Sequence, residues 1–312
     1  MRIIRDLTPD VQFNRPIVTL GTYDGVHLGH QAIIREMVAE AQAKGKESVL
    51  LTFDPHPRMV LYPESHSVRL IDTIEEKLEK LEKLGLDTVI LFPFTLKFSR
   101  LTAVEFVRDI LVNQIGVSQM LVGYDHHFGK NREGNFQQLE ELGMLYGFEV
   151  REIKAVETDG IAVSSTKIRK ALAEGDMKKV ERFLGVPYQL SGVVIHGNKL
   201  GRTIGFPTAN LYLDQTTKIL PEIGVYAVQI IVQGTRLNGV MNIGKKPTVQ
   251  QTDTISVEVF IFDFDAEIYD ETMRVYVYDR LRGEQRFGSI DELKSQLKKD
   301  EENARSLLAA MV

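Results

Sequence analysis

Residues 17–30 read Ile-Val-Thr-Leu-Gly-Thr-Tyr-Asp-Gly-Val-His-Leu-Gly-His, a short apolar run that passes through a glycine-rich turn. Helical patterning follows directly, over residues 32–43. A strand that turns through glycines into a helix predicts the first unit of a parallel α/β sheet, with the helix N-terminus facing a ligand. Free N–H groups and the positive end of the helix dipole favour a phosphate at that position.

Strand-like runs alternate with helical patterns as far as residue 184. The strands are expected at residues 17–20, 49–53, 89–93, 120–123 and 149–153, and the helices at residues 32–43, 75–84, 103–115 and 137–146. Thr102 and Glu105 predict a capping box at the start of the third helix. This alternation predicts a Rossmann-like parallel sheet, whose ligands bind at the carboxyl ends of the strands.

After Gly185 the pattern changes to strands alone. They are expected at residues 190–195, 225–232, 237–243, 256–261 and 273–278, with no helix before Ser289. Ser289 and Glu292 predict a second capping box, ahead of a C-terminal helix. The fold class is therefore α/β, with a parallel-sheet domain at residues 1–184 and a small antiparallel β-barrel with a C-terminal helix at residues 185–312.

Composition bounds the class of protein. A chain of 312 residues suits two domains. The absence of cysteine excludes disulfides, thiolate metal sites and cysteine nucleophiles, and it fits a reducing cytoplasm. A net charge of −5 with dispersed Lys and Arg argues against nucleic acid, and no apolar run approaches the ~20 residues of a membrane span. We expect a soluble cytoplasmic protein without nucleic-acid or membrane partners, and the oligomeric state stays open.

The turn after the first strand carries the first candidate site. Gly21 and Gly29 allow the backbone to approach a ligand closely, and Asp24 lies between them. His27 and His30 add hydrogen-bond donors that can follow charge on a transferring phosphate. A glycine turn with two surface histidines, or a pair of metal ligands, is the alternative at this point.

A second segment, residues 163–169, reads Val-Ser-Ser-Thr-Lys-Ile-Arg. Ser164 suits a helix N-cap, although such serines often only cap helices, and Arg169 lies near enough on that helix to pair with phosphate. The segment from His27 to His30 resembles the His-x-Gly-His signature of the nucleotidyltransferase superfamily, and residues 163–169 resemble its Ser-Ser-Thr-x-x-Arg motif. The resemblance implies that His27 and His30 are catalytic and that ATP is bound by Gly21, Asp24, Gly29, Ser164, Thr166 and Arg169.

Two later loops narrow the family. Residues 52–57 and 123–129 are similar to the FMN-adenylylating domain of bacterial bifunctional riboflavin kinase/FAD synthetases. The resemblance implies that the flavin is contacted by Phe53, Pro55, Pro57, Asp125 and Phe128. Taken alone, the two prolines would indicate a rigid turn, and His126 stands where the family usually has an aromatic residue.

The second candidate site lies in residues 197–210. Gly197, Gly201 and Gly205 are spaced four apart, and a glycine loop of this kind can cradle phosphate oxygens. Thr208 and Asn210 are hard oxygen donors of the kind that a Mg-nucleotide uses. A glycine-rich barrel corner is the alternative.

The whole segment resembles the riboflavin kinase signature, Gly-x-x-x-Gly-x-x-x-Gly-x-Pro-Thr-Ala-Asn. The resemblance implies that Thr208 and Asn210 hold the metal-nucleotide, that Glu258 is the catalytic base, and that Arg282 and Glu284 lie on the flavin side. Two positions depart from the family pattern. Phe260 replaces a common His, and Asp270 replaces a turn glycine, so we expect a reshaped loop behind the base.

Together the two resemblances imply ATP-dependent phosphorylation of riboflavin to FMN, followed by Mg-ATP-dependent adenylylation of FMN to FAD. ATP and Mg²⁺ are the implied cofactors, and riboflavin, FMN and FAD are substrates or products. The riboflavin alcohol is un-ionised at pH 7 and needs a base, whereas the FMN phosphate is already charged. The alternatives are one active half, a non-catalytic flavin- or nucleotide-binding regulator, and a tRNA-acting enzyme.

Overall fold

The computed structural model describes residues 1–63, 69–123, 127–130, 133–158, 160–197, 200–213, 217–246 and 254–311. The chain divides into two compact units, Met1–Ser164 and Ser165–Val312. Within the described part of the chain, no helix has the length and apolar character needed to cross a membrane.

The first unit contains a sheet of six parallel strands with the order β1-β4-β3-β2-β5-β6. Its elements are, in chain order, β1 (Arg2–Ile4), β2 (Ile17–Leu20), α1 (Leu28–Lys44), β3 (Ser48–Phe53), α2 (Pro57–Leu61), α3 (Ile74–Lys83), β4 (Thr88–Phe92), a 3-10 turn (Phe98–Arg100), α4 (Ala103–Glu105), a π-helix (Phe106–Val112), β5 (Gln119–Gly123), α5 (Phe136–Tyr146), β6 (Glu149–Ile153) and the hairpin β7 (Glu157–Thr158) and β8 (Ile161–Ala162). The predicted parallel sheet is confirmed.

Alternation along the strands divides the core into two layers. Val18 and Val49 face one hydrophobic cluster, and their neighbours Ile17 and Leu50 face the other. All four side chains are fully buried, as expected for strands covered on both faces. Because β2 lies between β3 and β5, the strand order reverses at β2, and its carboxyl end opens a crevice.

The helix expected over residues 103–115 differs from the structure. The capping box of Thr102 and Glu105 is confirmed at its start. After one turn the backbone widens into the π-helix, in which the N–H of Asn113 donates to the carbonyl of Arg108, five residues back. β1 was not expected, because three residues give too short a pattern.

The second unit is a closed antiparallel barrel with the strand order β10-β13-β12-β11-β14-β9. Its elements are, in chain order, α6 (Ser165–Glu174), α7 (Met177–Leu184), β9 (Tyr188–Ile195), α8 (Leu200–Thr203), β10 (Thr208–Tyr212), β11 (Gly224–Val232), β12 (Thr235–Lys246), β13 (Thr254–Ile261), β14 (Thr272–Arg282) and α9 (Ile290–Ala309). The predicted barrel and C-terminal helix are confirmed.

Two expectations for this unit are wrong. The single helical turn α8 lies among the strands, well before Ser289. Just after α8, the N–H of Phe206 donates to the carbonyl of Gly201 at 2.9 Å and closes the glycine segment into a turn. The second capping box is only half formed. Ser289 accepts from the N–H of Glu292, but the Glu292 carboxylate accepts from Gly288 and not from the cap residue.

α6 and α7 belong to the second unit, although the sequence-based boundary places them in the first domain. α7 packs against β9 and β14 and buries Val180, Phe183 and Leu184. An ion pair of 3.0 Å joins Lys178 to Asp279 of β14. The expected domain boundary between residues 184 and 185 stays a prediction. Two fragments of the chain, one with α6 and α7 and one without them, can test which boundary gives the more stable barrel.

We expect a fragment of residues 165–312 to be more stable than one of residues 185–312. The shorter fragment loses α7, and each large apolar side chain buried on folding contributes about 1.5–3 kcal/mol. Urea unfolding followed by circular dichroism should give a higher midpoint for the longer fragment. Equal midpoints would show that α6 and α7 add nothing to the barrel.

Candidate functional site

The loop from β2 into α1 is strained, and buried contacts hold it. Tyr23 and Val26 have φ angles of 46° and 39°, on either side of Gly25 at 86°. Positive φ in a β-branched residue is a clear outlier, and each such residue costs about 1–3 kcal/mol. The Tyr23 hydroxyl lies 2.8 Å from the hydroxyl of Thr19, and both side chains are buried. The surrounding structure therefore imposes the shape of this loop.

Asp24 faces inward from this loop. Its side chain is 2% exposed, and its Oδ1 accepts hydrogen bonds from the backbone N–H groups of Ile71 at 2.9 Å and Asp72 at 3.3 Å. These contacts give Asp24 a role in fixing the loop. The expected contact between Asp24 and the nucleotide stays a prediction.

His27 caps the N-terminus of α1. Its Nδ1 accepts the backbone N–H of His30 at 3.4 Å, so Nε2 carries the proton of the neutral ring and can donate to a ligand. A Cβ on residue 29 would lie 3.2 Å from the His27 ring, so Gly29 leaves the space that the ring occupies. The sequence placed both histidines here as donors, but it did not reveal that His27 is the helix cap.

His30 stacks on His27 with ring centroids 3.6 Å apart. Its Nδ1 is buried and has no hydrogen-bond partner among the described residues. Burial lowers the pKa of His30 well below 6.5, and the nearby His27 and Lys77 lower it further, because a positive charge on either would repel a proton on His30. His30 is therefore neutral at pH 7. A buried nitrogen without a partner is costly, and a bound ligand could satisfy it.

Aromatic side chains line the carboxyl ends of β3 and β4. Phe53 ends β3, and its ring lies 5.3 Å from Phe94 and 5.6 Å from Phe98. These three rings are half-buried. Phe94 and Phe98 are not part of any motif found in the sequence. The usable signal was the density of phenylalanine in residues 92–98.

The other predicted flavin residues are placed differently. Pro55 is exposed after a cis peptide bond, and Pro57 occupies the first turn of α2. Phe128 is 5% exposed and packs on Phe106 at 6.2 Å, so its observed role is in the core. Asp125 lies outside the described residues, as does His126. Flavin contact by any of these residues stays a prediction.

The Ser-Ser-Thr-x-x-Arg segment spans the end of one unit and the start of the other. Ser164 is half-buried at the end of the first unit. Thr166 is exposed and Arg169 half-buried in α6, which belongs to the second unit. Their role at the ATP phosphates stays a prediction.

The second candidate site follows from the register of three barrel strands. Glu258 of β13 lies directly opposite Asn210 of β10 on one side and Asn242 of β12 on the other. Residues directly opposite each other in antiparallel strands project to the same face. The Thr208 hydroxyl donates to Oε2 of Glu258 at 3.2 Å. The structure thus brings Thr208, Asn210 and Glu258 together, and it adds Asn242.

This row of polar residues lies on the outer wall of the barrel. Val257 and Val259, on either side of Glu258, are buried in the barrel interior, whereas Glu258 is half-buried. Phe260, two residues along, shares the face of Glu258 and packs with the cluster beneath α9. The interior is filled by apolar side chains, so a ligand of Glu258 must bind outside.

Gly197 allows Asn210 to lie against the backbone. A Cβ on residue 197 would come within 2.1 Å of the Asn210 amide nitrogen, so no larger residue fits without displacing that amide. Gly201 lies in α8, and Gly205 follows it with a φ of 89°. The three glycines therefore shape one segment that ends at the polar row.

Arg282 and Glu284 follow the last barrel strand. The Arg282 guanidinium pairs with Asp300 of α9. Its Nη2 lies 2.8 Å and its Nε 3.0 Å from Oδ2 of Asp300. Asp300 is 2% exposed, so this is a buried ion pair that fastens α9 to the barrel. Glu284 is exposed, and a Cβ on residue 244 would lie 3.3 Å from its Oε1 and 3.1 Å from the Asn242 amide nitrogen. Glu284 thus lies at the edge of the polar row.

No group of three or more His, Cys, Asp or Glu side chains forms a metal site within the residues that the structure describes. A metal ion at the polar row would instead use hydroxyl and amide oxygens together with nucleotide phosphates.

Comparison with known proteins separates the two halves in the same way. A family model for FAD synthetase matches residues 11–167, and one for riboflavin kinase matches residues 184–308. The chain is 39% identical over 295 residues to the bifunctional riboflavin kinase/FMN adenylyltransferase of Listeria monocytogenes, covering 95% of this chain and 93% of that protein. The enzyme of the same name from Escherichia coli K12 is 39% identical over 290 residues, covering 93% and 91%.

The chain belongs to the bifunctional riboflavin kinase/FMN adenylyltransferase family. A solved structure described as a macrolide-efflux protein from Streptococcus pneumoniae shares the architecture, with a TM-score of 0.89, 34% identity, and coverage of 97% of this chain and 98% of that one. The word efflux in that description refers to the pneumococcal protein alone. The two family models carry the assignment of this chain.

The structure accommodates both departures from the pattern of the family. Phe260 packs against Phe206, with ring centroids 5.2 Å apart, and so supports the segment that leads into β10. Asp270 has a φ of 63°, and its N–H donates to the carbonyl of Val194 at 2.9 Å. Asp is among the residues that tolerate this conformation, so the turn forms without the glycine. The expected reshaping of the loop behind Glu258 stays a prediction.

The neutral His30 predicts a pH dependence of stability in this family member. The pKa of His30 is near 6.5 when unfolded and well below it when folded, so the unfolded state binds more protons as the pH falls below 6.5. The free energy of unfolding should therefore decrease as the pH is lowered below 6.5. His30 contributes a slope of up to about 1.4 kcal/mol per pH unit.

We expect His30→Asn to flatten that dependence. Urea unfolding at several values between pH 5 and 7.5 measures it, with the exposed His127→Asn as the control. An unchanged slope in the His30 variant would mean that this histidine does not remain neutral in the folded protein.

Proposed function

We propose that this chain phosphorylates riboflavin to FMN with ATP and then adenylylates FMN to FAD with a second ATP. The observation that carries the proposal is that each half of the chain holds the groups that its own reaction requires. The first unit has two stacked histidines at a helix N-terminus. The second has a carboxylate in a row of hydroxyl and amide side chains.

Adenylyl transfer needs charge stabilisation and no base. The FMN phosphate attacks the α-phosphorus of ATP, and pyrophosphate leaves, so negative charge builds on the α-phosphate oxygens. The Nε2–H of His27 and the N–H groups that begin α1 suit this charge. We propose that Gly21, Gly29, Ser164, Thr166 and Arg169 complete the ATP site.

The flavin ring of FMN needs a flat apolar surface. The chain has no tryptophan, so Phe or Tyr must supply the stacking. Phe53, Phe94 and Phe98 form a half-buried aromatic surface where β3 ends, and we propose that the isoalloxazine binds there, beside Pro55 and Pro57.

Riboflavin phosphorylation needs a proton acceptor. Glu258 takes the proton of the riboflavin alcohol, whose oxygen attacks the γ-phosphorus, and ADP leaves. The hydrogen bond from Thr208 orients the carboxylate. Asn242, opposite Glu258 in the register, is a further candidate for this site.

The donors at the polar row suit Mg²⁺. The Thr208 hydroxyl and the Asn210 amide are hard oxygen donors. Because residue 197 is glycine, the Asn210 amide has room beside the backbone. We propose that these two residues hold Mg²⁺ together with the nucleotide. When bound, the ion would supply positive charge that offsets the charge of the phosphates. We also propose the cytoplasm as the compartment, in keeping with the absence of cysteine.

His27→Ala should impair FAD formation alone. Loss of one donor to transition-state charge costs about 10²–10³ in rate. Chromatography of reactions with riboflavin and ATP should show that FMN accumulates in this variant. A variant that makes FAD at the parental rate would remove His27 from the mechanism.

Glu258→Gln should impair FMN formation alone. It keeps the size of the side chain but removes the proton acceptor, and a lost general base costs about 10²–10⁴ in rate. FAD formation from supplied FMN should stay near the parental rate, and the exposed Glu267→Gln serves as a control.

A structural role for Glu258 makes a different prediction. If Glu258 only stabilised the barrel, the variant would melt at a lower temperature and keep its turnover in the folded fraction. Arg282, one conceivable cation partner for Glu258, is already paired with Asp300. Loss of both activities in a folded variant would contradict the assignment of the two reactions to separate sites.

A further inference from the structure

Helix α3 presents two lysines to the loop between β2 and α1. The ammonium of Lys77 donates to the carbonyl oxygen of Thr22 at 2.9 Å. One turn later, Lys80 pairs with Asp72 at 2.6 Å and lies 3.5 Å from the carbonyl oxygen of Gly25. Both lysines therefore reach carbonyl groups of the strained loop, but they differ in how their charge is balanced.

Lys77 is a buried cation without a carboxylate in contact among the residues that the structure describes. The residue is only 6% exposed. Among the described residues, Lys80 has an ion pair within 4.0 Å and Lys77 has none. Burial lowers the pKa of Lys77, although the more distant charges of Asp24, Asp72 and Asp54 oppose this effect. Burying an ammonium group in this way costs several kcal/mol, which a methionine of similar length would avoid.

The contact fixes the peptide group before the strained Tyr23. The Thr22 carbonyl also accepts the Thr52 hydroxyl at 3.2 Å, so two donors hold one oxygen. The peptide between Thr22 and Tyr23 is trans, so fixing its carbonyl also fixes the direction of the Tyr23 N–H. The ring of Tyr23 lies 4.5 Å from the ring of His30, centroid to centroid. The peptide group held by Lys77 is therefore one residue away from a direct contact with the histidine pair.

We propose that Lys77 is a positioning residue for adenylyl transfer, whose ammonium holds the Thr22 carbonyl and thereby sets the loop that places Tyr23 against His30. The inference rests on the proposed function of the first unit and adds a residue that none of the sequence motifs contains. Lys77 acts through the loop, and it is not in contact with the reacting atoms.

Lys77→Met tests this role, with Lys83→Met as the matched control, since Lys83 is exposed on the same helix. We measure kcat and KM for FAD formation from FMN and ATP, riboflavin phosphorylation in the same preparation, and the melting temperature. Small misplacements of catalytic groups cost about 10²-fold in rate. We therefore expect kcat for FAD formation to fall by roughly 10²-fold in Lys77→Met. The KM values, riboflavin phosphorylation and the control variant should stay near the parent.

The absence of cysteine in the chain allows a rescue experiment. Lys77→Cys places the sole thiol of the protein at this position. Aminoethylation in denaturant, followed by refolding, rebuilds an ammonium on a side chain of lysine length. We expect the modified protein to regain most of the lost kcat, while unmodified Lys77→Cys refolded in parallel does not. Lys83→Cys, treated in the same way, controls for the modification.

Three results would overturn the proposal. The first is a folded Lys77→Met enzyme with the parental kcat. The second is a modified Lys77→Cys protein that regains its melting temperature but not its kcat. The third is failure of both unmodified variants to fold, because Lys77 would then act through stability. If the parent itself made no FAD from FMN and ATP, the proposed function would fail first, and the two failures are thus distinguishable.

Discussion

The turn from β2 into α1 is the constraint on which the first unit depends. The strand order reverses at β2, so a helix that starts there meets an open crevice at the edge of the sheet. The chain enters α1 through left-handed residues, and one of them is the β-branched Val26. Buried polar groups offset this strain: the hydroxyl of Thr19, the carboxylate of Asp24 and the ammonium of Lys77 each hold part of the loop. These groups are buried because they shape the loop from beneath, which leaves the helix N-terminus and the histidines for a ligand.

A different constraint places the chemistry of the second unit. A closed barrel of six strands has an interior that its own side chains fill, here with residues such as Val257 and Val259. Because side chains alternate along a strand, Glu258 must then project outward. The same outer wall carries α9, which the ion pair between Arg282 and Asp300 fastens. Predicted as a flavin residue, Arg282 is observed to support the helix that borders the site.

Much of the architecture could be predicted from the sequence, because periodicity and turn residues are local signals. Ile17–Leu20 and Glu149–Ile153 were placed to the residue, and β3, β4 and β5 to within one residue at each end, whereas β1 was missed. What could not be predicted depends on distant partners. Lys77 appears in the sequence as one of several charged residues on an amphipathic helix, and only its burial beneath Thr22 distinguishes it.

The same limit applies to register and to local geometry. Asn242 was not among the predicted site residues, because its position opposite Glu258 depends on the pairing of two strands. Asp270 stands where the family has a turn glycine, and the sequence could not show that this residue takes the left-handed conformation itself. The π-helix after Thr102 could not be predicted, because its apolar pattern does not distinguish it from an ordinary α-helix.

Separate sites also follow from the charges of the two nucleophiles. A free carboxylate beside the FMN phosphate would repel it, and two carboxylates of the described residues near the first site are turned inward, since Asp24 binds backbone N–H groups and Asp72 pairs with Lys80. The neutral His30 adds polarity there without adding charge, and this reaction requires no proton acceptor. The riboflavin alcohol has the opposite need, because it remains protonated until a base such as Glu258 removes its proton. The two nucleophiles therefore make different electrostatic demands, and this chain carries a candidate site for each of them in a separate unit.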